Sequence, residues 1–497
     1  MTRVSPAHMD AATFRALGHG LVDQLAGLLE SVPDRPITRD QSPSAVRDAL
    51  GLNGPLPEAG ADPAALLERT TQLLFDHSLF NAHPRFFGYI TASPAPIGIL
   101  GDLLAAAVNP NVGAWALSPA ATEIEAQTVR WIAQFIGFPV EAGGLLVSGG
   151  NMANIVCLLA ARAAKAGWDV RAEGMAPGGG SPRLRVYASA EAHTWIQKAA
   201  DMAGLGTAAI RWIPTDAGLR MDVAALRRQI ALDRAAGDLP CFVAGTAGSV
   251  STGAVDPLRE IAAICREHDL WFHVDGAYGG FAAALPDASE DLRALSLADS
   301  VAVDPHKWLY APLEAGCALV RDPAALRAAF AYHPPYYHFD EHATNYLDYG
   351  PQNSRGFRAL KVWLQMGHVG AAGYRQMIGD DVRLSRAMAA AVRQHEELEL
   401  ATQELSITTF RYVPRDLRGT VGDSATERHL DAINRELLDR LQRGGEVFLS
   451  NAVIAGRYLL RACIVNFHTA ESDIDAVPGI VARVGHEVEA TLRPTTP

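Results

Sequence analysis

Apolar residues are distributed along this chain in distinct regimes, each of which predicts a different kind of structure. Phe14, Leu17, Leu21, Val22, Leu25, Leu28 and Leu29 recur at helical spacing and place one apolar stripe on an otherwise polar helix. Such a stripe requires a surface to cover it. The stretch Pro33 to Pro63 is rich in Pro, Gly, Asp and Ser and reads as an extended connector, with a helix resuming at Pro63. Between roughly 80 and 380, short β-branched runs alternate with Ala- and Leu-rich helical stretches. That is the pattern of parallel βαβ units with helices on both faces of one sheet. A long helical stretch from Asp380 to Leu398 then leads to strand-like Ser406 to Tyr412, a helix over Glu427 to Arg443 and strand-like Tyr458 to Phe467. The expected organisation is a helical segment over 1–82, a large α/β domain over 83–380 and a small α+β domain over 381–497. Gly174 to Pro182 is the one low-complexity piece and reads as a surface loop.

Composition narrows the function classes. With 49% hydrophobic and 20% charged residues, the 497-residue chain can bury a large core. Its net charge of -12 offers no basic field for a nucleic-acid backbone, so that partner class is disfavoured. The five cysteines, Cys157, Cys241, Cys265, Cys317 and Cys463, are widely spaced, form no CxxC pair and read as buried thiols in a reducing compartment. No signal-peptide core and no membrane-length apolar run is visible, so a cytoplasmic protein is expected, and no metal site is indicated.

Open α/β sheets bind ligands beyond the carboxyl ends of their strands, so the polar residues that follow each apolar run are the candidates for chemistry. Gly144 to Val147 runs into Ser148-Gly149-Gly150-Asn151 and then an apolar helix, offering free N–H groups and a positive dipole end to a phosphate. Taken alone, that is also an ordinary tight turn. Arg185 to Ala188 leads to His193, and Cys241 to Gly245 leads to Thr246; either could equally be a capping or satisfied polar group. The apolar run Leu270 to Val274 stops at Asp275, and an acid ending so apolar a run calls for a cationic neighbour such as a pyridinium nitrogen. Ser300 to Val303 gives way to Asp304-Pro305-His306-Lys307-Trp308. Partial burial and nearby positive charge would lower the lysine pKa and let it form a Schiff base with an aldehyde. An isolated lysine would be a surface group; these residues together are the parts a pyridoxal-phosphate site requires.

The motifs HPRFFGY (His83 to Tyr89), SPAATEIE (Ser118 to Glu125), HVDGAYGG (His273 to Gly280), DPHKW (Asp304 to Trp308), SRGFRALKVW (Ser354 to Trp363) and YLLRACIVN (Tyr458 to Asn466) span nearly the whole chain. The set resembles the group II pyridoxal-phosphate decarboxylases, which include aromatic-L-amino-acid, histidine and glutamate decarboxylases. The resemblance implies a fold-type I, aspartate aminotransferase-like α/β large domain with a mainly parallel sheet, an N-terminal helical segment and a small C-terminal α+β domain. It implies pyridoxal 5'-phosphate as cofactor and a homodimer with its active sites at the interface. By position, Lys307 matches the lysine that carries the cofactor, Asp275 the acid at the ring nitrogen and His193 the imidazole stacked on the ring. Thr246 and Ala277 match positions beside the ring, Gly150 and Asn151 the phosphate turn, and His306 lies with them next to the lysine. Two departures stand out. Asn151 replaces a Ser, and Asp304 replaces an Asn near the phosphate, where an acid would be repulsive; Asp304 is therefore expected to point elsewhere, toward a backbone amide or a basic group.

The segment His333 to Gly350 reads as a mobile flap, and its register places Tyr346 on the tyrosine that protonates the substrate carbon in this family, with Tyr349 a close competitor. Relatives with Phe there release an aldehyde, so Tyr346 favours simple decarboxylation. Tyr89, Thr91, Trp308 and Ser354 match substrate-side positions and lean toward an aromatic L-amino acid, while Asn111 and Gly113 replace larger side chains of the partner-side wall. The expected reaction is release of carbon dioxide and an amine. An aldehyde synthase, a decarboxylase of an acidic or basic amino acid, a non-catalytic relative and a nicotinamide-dependent dehydrogenase are the rivals. The last lacks a GxGxxG pattern at Gly149-Gly150.

Overall fold

A computed structural model of the chain describes residues 5–175, 182–335 and 343–492. The expected loop Gly174 to Pro182 and the middle of the expected flap therefore lie largely outside the described residues. The large sheet contains β1 (Gly143–Val147), β2 (Leu184–Ser189), β3 (Ile210–Ile213), β4 (Leu239–Thr246), β5 (Trp271–Asp275), β6 (Ser300–Val303) and β7 (Gly316–Val320). Their order is β1-β7-β6-β5-β4-β2-β3, and only β7 runs against its neighbours. Most positions of these strands are buried on both faces, which is why they read as continuous apolar runs rather than alternating ones. This is the α/β, mostly parallel architecture expected of fold type I. The five cysteines are all buried and free. Among the described residues no helix is long and apolar enough to cross a membrane.

A second, antiparallel sheet is formed by β8 (Leu398–Glu404), β9 (Ile407–Tyr412), β10 (Ser450–Ile454) and β11 (Arg457–Cys463), in the order β10-β11-β9-β8. The helices Ser424–Gly444 and Glu471–Leu492 pack on it through Ile433, Leu437, Ile474, Val477 and Val481. The helical stretch expected from Asp380 begins earlier, at Ala359, and runs to Gln394 with a break at Gly370, whose φ of 68° is left-handed. It crosses position 380 without interruption. Chain segment 83–90 lies along the small sheet: Phe87 N–H donates to the Phe448 carbonyl at 2.8 Å, and Cys463 N–H donates to the Phe87 carbonyl at 2.9 Å.

The N-terminal stripe does form a helix, Ala11–Ser31, but none of its residues is buried within the chain. The connector after it is less extended than its composition predicts. It holds a short helix, Pro43–Leu50, with Ser42 accepting from Ala45 N–H as its cap. Leu100, Leu103, Leu104 and Val108 of the helix Pro96–Val108 are likewise exposed.

Burial also sets a pH dependence of stability. The Asp381 carboxylate is buried beneath the cleft floor, accepting from Trp308 Nε1 at 2.9 Å and Tyr310 Oη at 2.7 Å, and desolvation pushes its pKa up to about 7. A folded-state pKa raised above that of the unfolded chain means that protons favour the folded state. The contribution is full below about pH 4 and is lost as pH rises through about 7. Asp381→Asn is therefore expected to flatten the decline in thermal stability between pH 4 and 7, by about 1–4 kcal/mol across the window. Tm against pH for both proteins, by differential scanning fluorimetry, checks it; identical slopes would count against the assignment.

Candidate active site

The carboxyl ends of β1, β2, β4, β5 and β6 open onto one cleft of about 840 Å³, a volume suited to a small organic ligand. Gly149 and Gly150, at the start of the helix Gly150–Lys165, form its anion-facing end. Gly149 has φ 136°, which an L side chain rarely adopts, and a Cβ on Gly150 would lie 2.8 Å from Asp304 Oδ2 and 2.9 Å from the Ala277 Cβ. Among the described residues no side chain caps this helix, which leaves its first N–H groups for a ligand. Asn151, Thr246, Asp275, Ala277, His193, His306 and Lys307 line the same cleft, together with Tyr89 and Thr91.

Each of these is held by its surroundings. Asp275 ends β5 and accepts from Ala277 N–H at 3.1 Å through Oδ1. Below it, His273 is fully buried between Asn154 at 2.7 Å and Ser300 Oγ at 2.8 Å, and burial pushes its pKa down to about 4. That imidazole is a neutral strut of the sheet rather than a reacting group. Thr246 ends β4, where its N–H donates to Asp256 Oδ2 at 2.8 Å. His193 accepts from Trp195 N–H through Nδ1 at 3.2 Å. Burial first, and the charge of Lys307 next, lower its pKa, while Asp275 works in the opposite direction, so the ring is neutral near pH 7. His306 Nδ1 lies 2.7 Å from the Ala315 carbonyl, and burial lowers its pKa as well.

Lys307 stands on a single helical turn, Pro305–Trp308, started by the proline after β6. Its Nζ is 3.1 Å from Asp304 Oδ2, with the lysine side chain 19% exposed and the aspartate 2%. Asp304 does find a basic group, as expected, but that group is Lys307 itself, so the acid stays inside the cleft beside the Gly150 turn.

A lysine, a strand-end acid, an imidazole and an open helix start now share one cleft, and comparison with known proteins decides what kind of site this is. Residues 49–413 match the model of the pyridoxal-dependent decarboxylase conserved domain. The chain belongs to the pyridoxal-dependent decarboxylase family. It is 32% identical to the aromatic-L-amino-acid decarboxylase of Bacillus atrophaeus over 485 residues, covering 97% of each chain. It is 29% identical to the phenylacetaldehyde synthase of Petunia hybrida, covering 92% of this chain and 91% of that one. The structure of the Oryza sativa TDC with PLP and tryptamine superposes with a TM-score of 0.89 at 29% identity, covering 98% of this chain and 99% of that one. The protein is a pyridoxal 5'-phosphate-dependent carboxy-lyase.

The cleft fits that cofactor. The Gly149–Gly150 turn and helix start would receive a phosphate, Asp275 would pair with a cationic ring nitrogen, His193 would offer a neutral ring face, and Lys307 would supply the amine.

Three expected site residues of the decarboxylase are not brought to the cleft. Trp308 is fully buried, its ring stacked 4.7 Å from that of Tyr278 and its Nε1–H donated to Asp381, so it cannot touch substrate. Successive residues of a helical turn point about 100° apart, and a lysine facing the cleft turns its neighbour into the core. Tyr346, expected as the proton donor, is 2% exposed and packs beneath the Arg355 guanidinium at 4.7 Å. Its competitor Tyr349 packs beside it, with ring centroids 5.9 Å apart. Ser354 is exposed on the surface outside the cleft. Gly113 has a packing reason: a Cβ there would lie 2.2 Å from the Asn353 carbonyl oxygen, so this backbone leaves no room for a larger side chain.

Sequence reasoning missed the wall supplied by the small sheet, Ser450, Asn451 and Arg461. Arg461 is 2% exposed, and its Nη1 donates to the Tyr89 carbonyl and to Ser450 Oγ, each at 3.0 Å, whereas Nε and Nη2 are buried with no hydrogen-bond partner among the described residues. The signal was present: a charged residue inside the apolar run YLLRACIV.

Proposed function

We propose that the decarboxylase acts on an aromatic L-amino acid, releasing carbon dioxide and the corresponding arylalkylamine, as a homodimer. The observation that carries the catalytic assignment is the convergence of Lys307, Asp275 and His193 on one cleft at the start of an uncapped helix. Bound there, pyridoxal phosphate supplies the electron sink for the bond to the departing carboxylate. Lys307 would provide the amine that holds the cofactor. Asp275 would pair by charge with the ring nitrogen and hold a proton there. His193, neutral and exposed on the cleft face, is the group placed to carry a proton to the substrate carbon.

The aromatic substrate is supported by the names of relatives and by the character of the entrance, where the Tyr89 ring is 60% exposed and Ile90, Val250 and Leu313 line the walls. The dimer is supported by the exposed apolar faces of the helices Ala11–Ser31 and Pro96–Val108, which a second copy would cover. A second reading, oxidative release of an aldehyde, is favoured by the Petunia hybrida relative and by the position of Tyr346 outside the cleft. One assay separates the readings. The purified protein, its mass measured by light scattering, is offered each common L-amino acid while carbon dioxide, amine, aldehyde, ammonia and peroxide are quantified. The expected result is a dimer that releases amine and carbon dioxide in equal amounts, fastest with an aromatic amino acid. Preference for glutamate or lysine, aldehyde with peroxide, or a monomeric active species would overturn the corresponding part.

A further inference from the structure

Asp304 sits where the cofactor's two attachment points meet. One of its oxygens, Oδ2, pairs with Lys307 Nζ at 3.1 Å and lies 2.8 Å from the position a Gly150 Cβ would occupy. Its other oxygen, Oδ1, is buried with no hydrogen-bond partner among the described residues. The charged and titratable groups around it are Lys307 and His306 on its own turn, His193 beyond β2, Asp275 at the end of β5 and Cys317 on β7. Of these, Lys307 is the cation within ion-pairing distance; His306 is 3.7 Å away with its pKa lowered.

This arrangement has opposite effects on the two ends of the cofactor. A carboxylate beside the lysine stabilises positive charge on its nitrogen, before and after that nitrogen is joined to an aldehyde. The same carboxylate, 2% exposed and therefore poorly screened, faces the Gly149–Gly150 turn and would repel a phosphate held there. An asparagine would lose the first effect and reverse the second, because its amide can donate to a phosphate oxygen.

We propose that Asp304 is the internal counter-ion of Lys307 and, from that position, weakens the hold of the Gly149–Gly150 turn on the cofactor's phosphate, making the cofactor readily exchangeable. The inference rests on the pyridoxal-phosphate site described above and concerns affinity rather than the chemical step. It separates affinity for the phosphorylated aldehyde from affinity for the same aldehyde without phosphate.

The experiment starts from full-length holoenzyme, wild type and Asp304→Asn, with Asp304→Ser as a second neutral variant. Each is dialysed to equilibrium against graded pyridoxal phosphate and, in parallel, against pyridoxal. Bound aldehyde is read by absorbance, and folding is checked by circular dichroism. Wild type is expected to bind pyridoxal phosphate in a borohydride-trappable form; failure of that control would refute the cofactor site itself, not the role of Asp304. In both variants the ratio of the pyridoxal Kd to the pyridoxal phosphate Kd is expected to rise about tenfold, the effect of one pKa unit's worth of relieved repulsion. A folded variant with an unchanged or smaller ratio would overturn the proposal, since it would mean that Asp304 is neutral or assists phosphate binding.

Discussion

Lys307→Arg is expected to abolish turnover while leaving the fold intact. Arginine keeps a positive charge within reach of Asp304, so the buried acid retains its partner, and its guanidinium remains protonated and cannot condense with an aldehyde. Lys307→Ala would be a poorer test, because it strands a carboxylate that is 2% exposed and confounds chemistry with stability. The expected loss in kcat/KM is roughly 10⁴-fold, from loss of the amine that anchors the cofactor and exchanges with substrate. Carbon dioxide release gives the rate, and borohydride reduction followed by peptide mass spectrometry locates the pyridoxyl group. Wild type should carry it on Lys307 and the arginine variant nowhere. A variant that unfolds at the wild-type temperature yet retains more than about a hundredth of the activity would remove Lys307 from the mechanism.

Arg355→Ala is expected to destabilise the protein by about 3–5 kcal/mol. Arg355 and Glu125 form a salt bridge with side chains 1% and 0% exposed, and the same guanidinium donates to the Val112 carbonyl at 2.8 Å and the Leu146 carbonyl at 2.7 Å. Glu125 in turn accepts from Leu146 N–H at 2.8 Å. The cluster ties the helix Pro119–Ile136, β1 and the segment carrying Tyr346 to one another. Removing the arginine leaves a buried carboxylate with one backbone donor, the costly half of a broken pair, whereas Arg355→Met with Glu125→Gln removes both charges and should recover most of the loss. Urea unfolding of the wild type, Arg355→Met, Glu125→Gln and the double variant gives the coupling energy. Additive single effects would show that the pair is not a unit. The cluster also accounts for two of the sequence motifs: SPAATEIE ends on Glu125, and SRGFRALKVW supplies Arg355.

The residues legible in sequence share a local signature. Asp275 and Thr246 end apolar runs, Gly150 and Asn151 open a helix after one, and Lys307 follows a strand-ending proline. In an open parallel sheet the ends of such runs fall on one edge, so knowing where each strand stops is enough to assemble the candidates. Helix extents were less legible. The helix from Ala359 breaks at Gly370, whose φ is 68°, and resumes to run beyond position 380, held by packing on the helices Pro96–Val108 and Pro119–Ile136 and on β8 and β9.

The sequence by itself determined the parallel α/β class, the strand-end residues and the family resemblance, since these depend on residue type and spacing along one stretch of chain. Only the tertiary structure decided where side chains point and what they meet across long separations. It turned Trp308 into the core beside a cleft-facing Lys307, buried Tyr346 under Arg355, brought Arg461 of the small sheet into the cleft wall and set Asp304 between Lys307 and the phosphate-facing turn. The physical reason is that periodicity specifies which face of an element is apolar. Which distant charge or ring lies against that face is fixed by strand order, rotamers and the desolvation cost of leaving a buried polar group without a partner.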